Sequence, residues 1–157
     1  LENAAQGNFN ISNNTFTQNQ SSGIDIRLSD SATATFNIND NNIQQSGRRG
    51  IDLVLANTSQ GTFNISRNTI TNNLEDGIYL ATDNTSQATA NITNNTAISR
   101  NETNGIVINA NANSLIRLVV ENNQINSNSV TGLQISSLDD ARVIAEVTSN
   151  NITVNTL

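Results

Sequence analysis

Two carboxylates stand at the same place in neighbouring copies of one short phrase. Asp25 lies in Gly23-Ile24-Asp25-Ile26-Arg27-Leu28, and Asp52 lies in Gly50-Ile51-Asp52-Leu53. Acids one strand spacing apart are placed to share a cation or to shift each other's pKa. Arg27, Arg48 and Arg49 fall in the same stretch and add positive charge beside them. The third copy puts Tyr79 at the acid's position, the fourth Val107 and the fifth Gln134. Two readings therefore stand: a weak cation or sugar site at Asp25 and Asp52, or two acids on a solvated face. Glu75-Asp76 and Asp139-Asp140 sit in turn-like contexts, where short acids need no chemistry to explain them.

The second candidate is a surface. The outward positions of one alternating run read Asn8-x-Asn10-x-Ser12, then Thr35-x-Asn37-x-Asn39, Thr62-x-Asn64-x-Ser66 and Thr89-x-Asn91-x-Thr93. Such short hydroxyls and amides, repeated every ~4.8 Å, would offer a lattice to a periodic ligand, either a polysaccharide or ice. The plainer alternative is that any β-structured rod in water needs small polar residues outside. Arg117, Val119 and Glu121 break the pattern in the next copy.

Both candidates depend on the repeat that positions them. Gly23, Gly50, Gly77, Gly105 and Gly132 are separated by 27, 27, 28 and 27 residues. Asn14, Asn41, Asn68, Asn95, Asn123 and Asn150 keep the same phase, as do Ile11, Ile38, Ile65, Ile92, Val120 and Val147. Three markers in phase indicate a repeat architecture. Each copy divides into three short alternating runs, which read as strands with one buried face rather than helices. Stacked copies align apolar columns such as Phe9, Phe36, Phe63, Ala90, Leu118, Ala145 and Phe16, Ile43, Ile70, Ile98, Ile125, Ile152. Ile24 and Ile26 head two more.

The Asn column suits a turn, because Asn tolerates left-handed backbone and its amide both donates and accepts. Stacked amides are expected to bond from coil to coil. Asn19, Ser46, Asn73, Asn101, Asn128 and Asn155 look like the same device at the next turn. The repeated Gly fits a corner requiring positive φ or close backbone approach. The single 28-residue step places one extra residue near Thr96-Ala97-Ile98.

Composition narrows the function classes. Hydrophobic residues make up 35% and charged residues 13% of the chain, but the apolar residues hold fixed phases, which argues for order. The net charge is −6 and the arginines are scattered, which disfavours a nucleic-acid partner. No run approaches the roughly 18 apolar residues of a membrane span. The absence of Cys rules out disulfide staples without identifying a compartment. Sequons such as those at Asn10, Asn64 and Asn91 are expected by chance in a chain with 31 Asn. The chain opens at Leu1 and stops mid-repeat, so an excised or mature piece of a longer protein is expected.

The phrase Asn41-Asn42-Ile43…Gly50-Ile51-Asp52-Leu53, with its relatives along nearly the whole chain, resembles the right-handed parallel β-helix repeat. That repeat occurs in pectate lyases, polygalacturonases, mannuronan epimerases and large bacterial surface proteins. The resemblance implies an all-β, right-handed parallel β-helix of about six coils, 27–28 residues each, with three short strands per coil. Residues 1–157 would form one such domain, a segment of a longer repeat protein or a stacking fibre subunit. It specifies activity poorly, since one scaffold hosts many functions. The hydrolases of this fold use clustered Asp with a His, and the epimerases an Asp-Pro-His-Glu motif; this chain has neither His nor Pro.

The expectation is therefore a non-catalytic extracellular or cell-surface module, adhesin-like or fibre-like, that gives length, display or end-to-end assembly. Its partners would be further β-helix coils or identical subunits, with no cofactor and no metal. The rival is a carbohydrate-binding or carbohydrate-active module, and an ice-binding face is third.

Overall fold

A computed structural model describes residues 1–155. The first coil holds β1 (Gln6–Ser12), β2 (Thr15–Thr17) and β3 (Ile24–Leu28), and the second β4 (Thr33–Asn39), β5 (Asn42–Gln44) and β6 (Ile51–Leu55). The third holds β7 (Gln60–Ser66), β8 (Thr69–Thr71) and β9 (Ile78–Thr82), and the fourth β10 (Gln87–Thr93), β11 (Ala97–Ser99) and β12 (Ile106–Ala110). The fifth holds β13 (Leu115–Glu121), β14 (Gln124–Asn126) and β15 (Leu133–Ser137), followed by β16 (Arg142–Thr148) and β17 (Asn151–Thr153). Each strand pairs in parallel with its equivalent one coil away, giving three sheets of six, six and five strands. The described residues thus form five complete coils and two strands of another, slightly fewer than the six expected. They contain no helix long and apolar enough to cross a membrane.

The apolar columns predicted from the repeat meet residue for residue. Phe9 pairs with Phe36, Ile11 with Ile38, Phe16 with Ile43 and Ile24 with Ile51. The interior Ile43, Ile51, Ile65, Ile70, Ile78 and Ile106 are fully buried. Three Phe rings stack along the axis at 4.8 and 5.6 Å, nearly parallel at 11° and 9°.

Room for these rings comes from a column the repeat phrase did not reveal. A Cβ on Gly61 would stand 2.6 Å from the Phe63 ring, and one on Gly7 2.5 Å from the Phe9 ring. Where the Phe column gives way to Leu118, the small residue becomes Ile116, also buried. Large and small exchange places between the third and fifth coils, but the fourth carries Ala88 and Ala90, small at both positions.

Corners use backbone that L-residues otherwise avoid. All eighteen described non-glycine residues with positive φ, between 50° and 62°, fall at three turns per coil. One set, Asn13, Asp40, Arg67, Asn94, Asn122 and Ser149, immediately precedes the Asn column. A second, from Gln18 to Val154, precedes the other Asn column, and a third runs from Asn3 to Asp139.

One expectation is corrected here, and the two readings of the repeated glycine are reduced to one. The column Asn residues themselves are not left-handed; the residue before each one is. No glycine has positive φ either. The column glycines serve close approach: a Cβ on Gly50 would lie 2.6 Å from the Gly77 carbonyl oxygen and 2.5 Å from the Ile70 side chain. The extra residue is Thr96, lodged between the column residue Asn95 and the start of β11. Its N–H takes the bond to the Asn68 carbonyl that the strand's first residue makes in other coils, so both flanking registers survive.

Ala112 holds φ 57 at the third turn, where the preceding coils carry Asn57 and Asn84. A left-handed Ala costs about 1–2 kcal/mol that Asn partly recovers. Ala112→Asn is therefore expected to raise the melting temperature by about 2–4 °C, as measured by circular dichroism.

Candidate functional sites

The first turn is closed by a buried amide ladder. Asn41 donates from its backbone N–H (2.9 Å) and its Nδ2 (3.1 Å) to Oδ1 of Asn68, and Nδ2 donates again to the Ile11 carbonyl at 2.7 Å. Asn68 repeats this toward Asn95 and Ile38, Asn95 toward Asn123 and Ile65, and Asn123 toward Asn150 and Ile92. Each Oδ1 accepts two donors, and each Nδ2 uses both of its hydrogens. The expected coil-to-coil bonding is present. Its further role is to satisfy backbone groups where the strands end. The second column does the same from Asn73 through Asn101 and Asn128 to Asn155.

The predicted ligand face lies on the outer side of the sheet holding β4, β7 and β10. Its middle row is already bonded: Asn37 donates to Asn10, Asn64 to Asn37 and Asn91 to Asn64, at 2.8, 2.8 and 2.9 Å. Ser66 donates to Asn39 at 2.8 Å, while Thr93 pairs in register with Ser66. Thr35, Thr62 and Thr89 line a shallow hollow of about 130 Å³, with Gln60 and Gln87 to one side and Leu115 and Arg117 closing it at the fifth coil. The face is thus a grooved lattice rather than a flat one.

The acid pair lies in register on β3 and β6 as expected, but its surroundings differ from both readings. Asp25 is exposed; Asp52, although on the outer side of its strand, is wholly buried. Arg27 reaches across coils to Asp52 at 3.0 Å and contacts Asp25 at 3.1 Å. Arg49 pairs with Asp52 at 3.2 Å and Asp76 at 3.3 Å, and its guanidinium lies 3.6 Å above the Tyr79 ring. Asp76 accepts from Thr103 (2.6 Å) and from the Asn104 side chain (2.8 Å), and Asn104 in turn accepts from Thr131 at 2.7 Å. Asp52 Oδ2 is held by two arginines in a polar chain running across five coils, while its Oδ1 is buried without a hydrogen-bond partner, so Asp52 is not part of a solvated face.

Tyr79, Thr103, Asn104 and Thr131 were missed as members of this chain, and Asp76 was read as a turn acid. A usable signal was present in opposite charges one repeat apart, as in Arg48 and Glu75, Arg49 and Asp76, and Asp40 and Arg67. All three pairs form, at 3.2, 3.3 and 2.8 Å. Hydrogen bonding and charge from Glu75 hold the Arg48 pKa above its ordinary value. At the first turn, the hydrogen bond from Arg67 holds the Asp40 carboxyl below 3.8, and the same bond raises Arg67.

A family model described as a right-handed β-helix region matches residues 10–154. No curated protein and no solved structure matches the chain.

The turn geometry sets the cost of breaking a rung. Asn68→Ala orphans the Asn41 donors and the Ile38 carbonyl and is expected to cost about 3–4 kcal/mol, since each stranded buried group costs ~1–3. Asn14→Ala, on the exposed first rung, should cost under about 1 kcal/mol. Denaturant melts compare the two directly. A depressed folded-state pKa makes Asp40 stabilising above 3.8, an increment lost as pH falls through the lower folded value. A carbon-13 titration should place its midpoint below 3.8, and Arg67→Gln should move it back up.

Proposed function

The chain belongs to the right-handed β-helix family, and on that footing we propose that it is a non-catalytic structural module of an extracellular or surface protein. Its work is to supply length and hold its faces at fixed spacing. The observation that carries this reading is the direction of its hydrogen bonds: strand pairing, both inner amide ladders and the outer Asn row all run from coil to coil. The acid pair that offered chemistry is tied up by Arg27 and Arg49, in agreement with a scaffold role. A rod of constant cross-section results, to which each complete coil adds about 4.8 Å.

One observation favours a second reading. The Thr35, Thr62 and Thr89 hollow opens on free hydroxyls at regular spacing, and a carbohydrate chain lying along the axis would meet the same groups at each step.

A single panel separates the two. The purified chain is passed over immobilised neutral and acidic polysaccharides and assayed for release of unsaturated or reducing sugars. The structural reading expects no product and no saturable retention. Retention that is lost in Thr62→Tyr, with the fold intact by circular dichroism, would replace it with the carbohydrate-binding reading; product release would make the chain an enzyme.

A further inference from the structure

The second amide ladder is interrupted once. Where Asn73, Asn101, Asn128 and Asn155 carry a carboxamide, the second coil carries Ser46, which is fully buried. The Ser46 N–H still donates to Oδ1 of Asn73 at 3.1 Å. Ser46 Oγ, however, has no hydrogen-bond partner, and neither has Nδ2 of Asn19 on the coil before it; both atoms are buried.

The intact rungs show what the serine lacks. Asn101 Oδ1 accepts from both the backbone N–H and Nδ2 of Asn73, while Asn101 Nδ2 donates to Asn128 Oδ1 and to the Ile70 carbonyl. A full amide at position 46 would accept from Asn19 and donate to Asn73 Oδ1 and to the carbonyl of Phe16, the corresponding residue. Asn73 Oδ1 takes one donor from Ser46, where Asn101 Oδ1 takes two from Asn73. The corner is therefore polar, its two free polar atoms are buried, and it is short of about one amide's worth of atoms.

We propose that this corner is a structural water site, in which one water molecule takes the place of the amide that Ser46 lacks. A water offers two donors and two acceptors, the same count as that amide. It accepts from Asn19 Nδ2 and exchanges a hydrogen bond with Ser46 Oγ. It donates to the Phe16 carbonyl. Buried waters typically make about three such bonds. Asn19 and Ser46 themselves border an open hollow, lined also by Gln18, Gln45, Gly47 and Leu74, which gives it a way in. The ligand is water rather than an ion, because the groups facing the gap are neutral and include both donors and acceptors.

Crystal structures of the chain and of Ser46→Asn, at a resolution that shows ordered water, test this together with melting temperatures. The wild type should hold a water within hydrogen-bond distance of Asn19 Nδ2 and Ser46 Oγ. Ser46→Asn should expel it, complete the ladder and melt about 2–4 °C higher. Ser46→Ala, which keeps the space but removes one partner, should melt lower than the wild type. A dry corner in the wild type overturns the proposal, as does a water that stays in place in the Ser46→Asn chain or a Ser46→Asn chain that melts no higher.

Discussion

Every coil must turn its backbone around an apolar interior without stranding the N–H and C=O groups that leave strand pairing at the corners. A buried orphan of either kind costs as much as a lost hydrogen bond. Asn meets the constraint with one side chain, because its oxygen takes two donors from the preceding coil while its nitrogen serves a carbonyl of that same coil and the amide of the next. The left-handed residue just before it presents that amide inward. With the corners satisfied, Ile and Phe columns can close on one another along the axis. The low hydrophobic content of the chain is tolerable for this reason: few residues are apolar, but nearly all of those in the middle coils face inward.

The charged residues follow the same rule of meeting the equivalent position one coil away. Asp40 with Arg67, Arg48 with Glu75 and Arg49 with Asp76 are each one repeat apart. Arg27 joins the two aspartates that first suggested chemistry. What looked like a reactive pair is part of the stacking. The uncommitted surface is the outer face of the long-stranded sheet, where the Thr35, Thr62 and Thr89 hydroxyls line an open hollow.

Much of this was legible in the residues because a solenoid brings equivalent positions into contact. Phase alone assigns the Ile columns, the Asn columns, the Asp25–Asp52 juxtaposition and the insertion at Thr96. What escaped notice has no constant identity. The left-handed position before the first Asn is filled by Asn, Asp, Arg and Ser, so composition hides a conformation that geometry imposes. The burial of Asp52 depends on Arg27 from the coil before and Arg49 from the adjoining turn, and neither recurs. The repeated glycine was open to two readings, positive φ or close backbone approach, and only the second holds. Here the reason is an oxygen and a methyl group that leave no room for a Cβ.

The ladders also have a sense. In both inner columns Nδ2 of one coil donates to Oδ1 of the next, whereas in the outer row Asn37 donates back to Asn10. Two files of amide dipoles thus point one way along the rod and one points the other, leaving an uncancelled axial polarity in the side chains. In the inner files oxygen faces the low-numbered end and nitrogen the other, and in the outer row the order is reversed. A coil joined to either end can continue the files only if it arrives with the same orientation as those already stacked; a reversed coil would set like against like, donor to donor at one end and acceptor to acceptor at the other. The asparagines therefore act as an arrow as well as a seam.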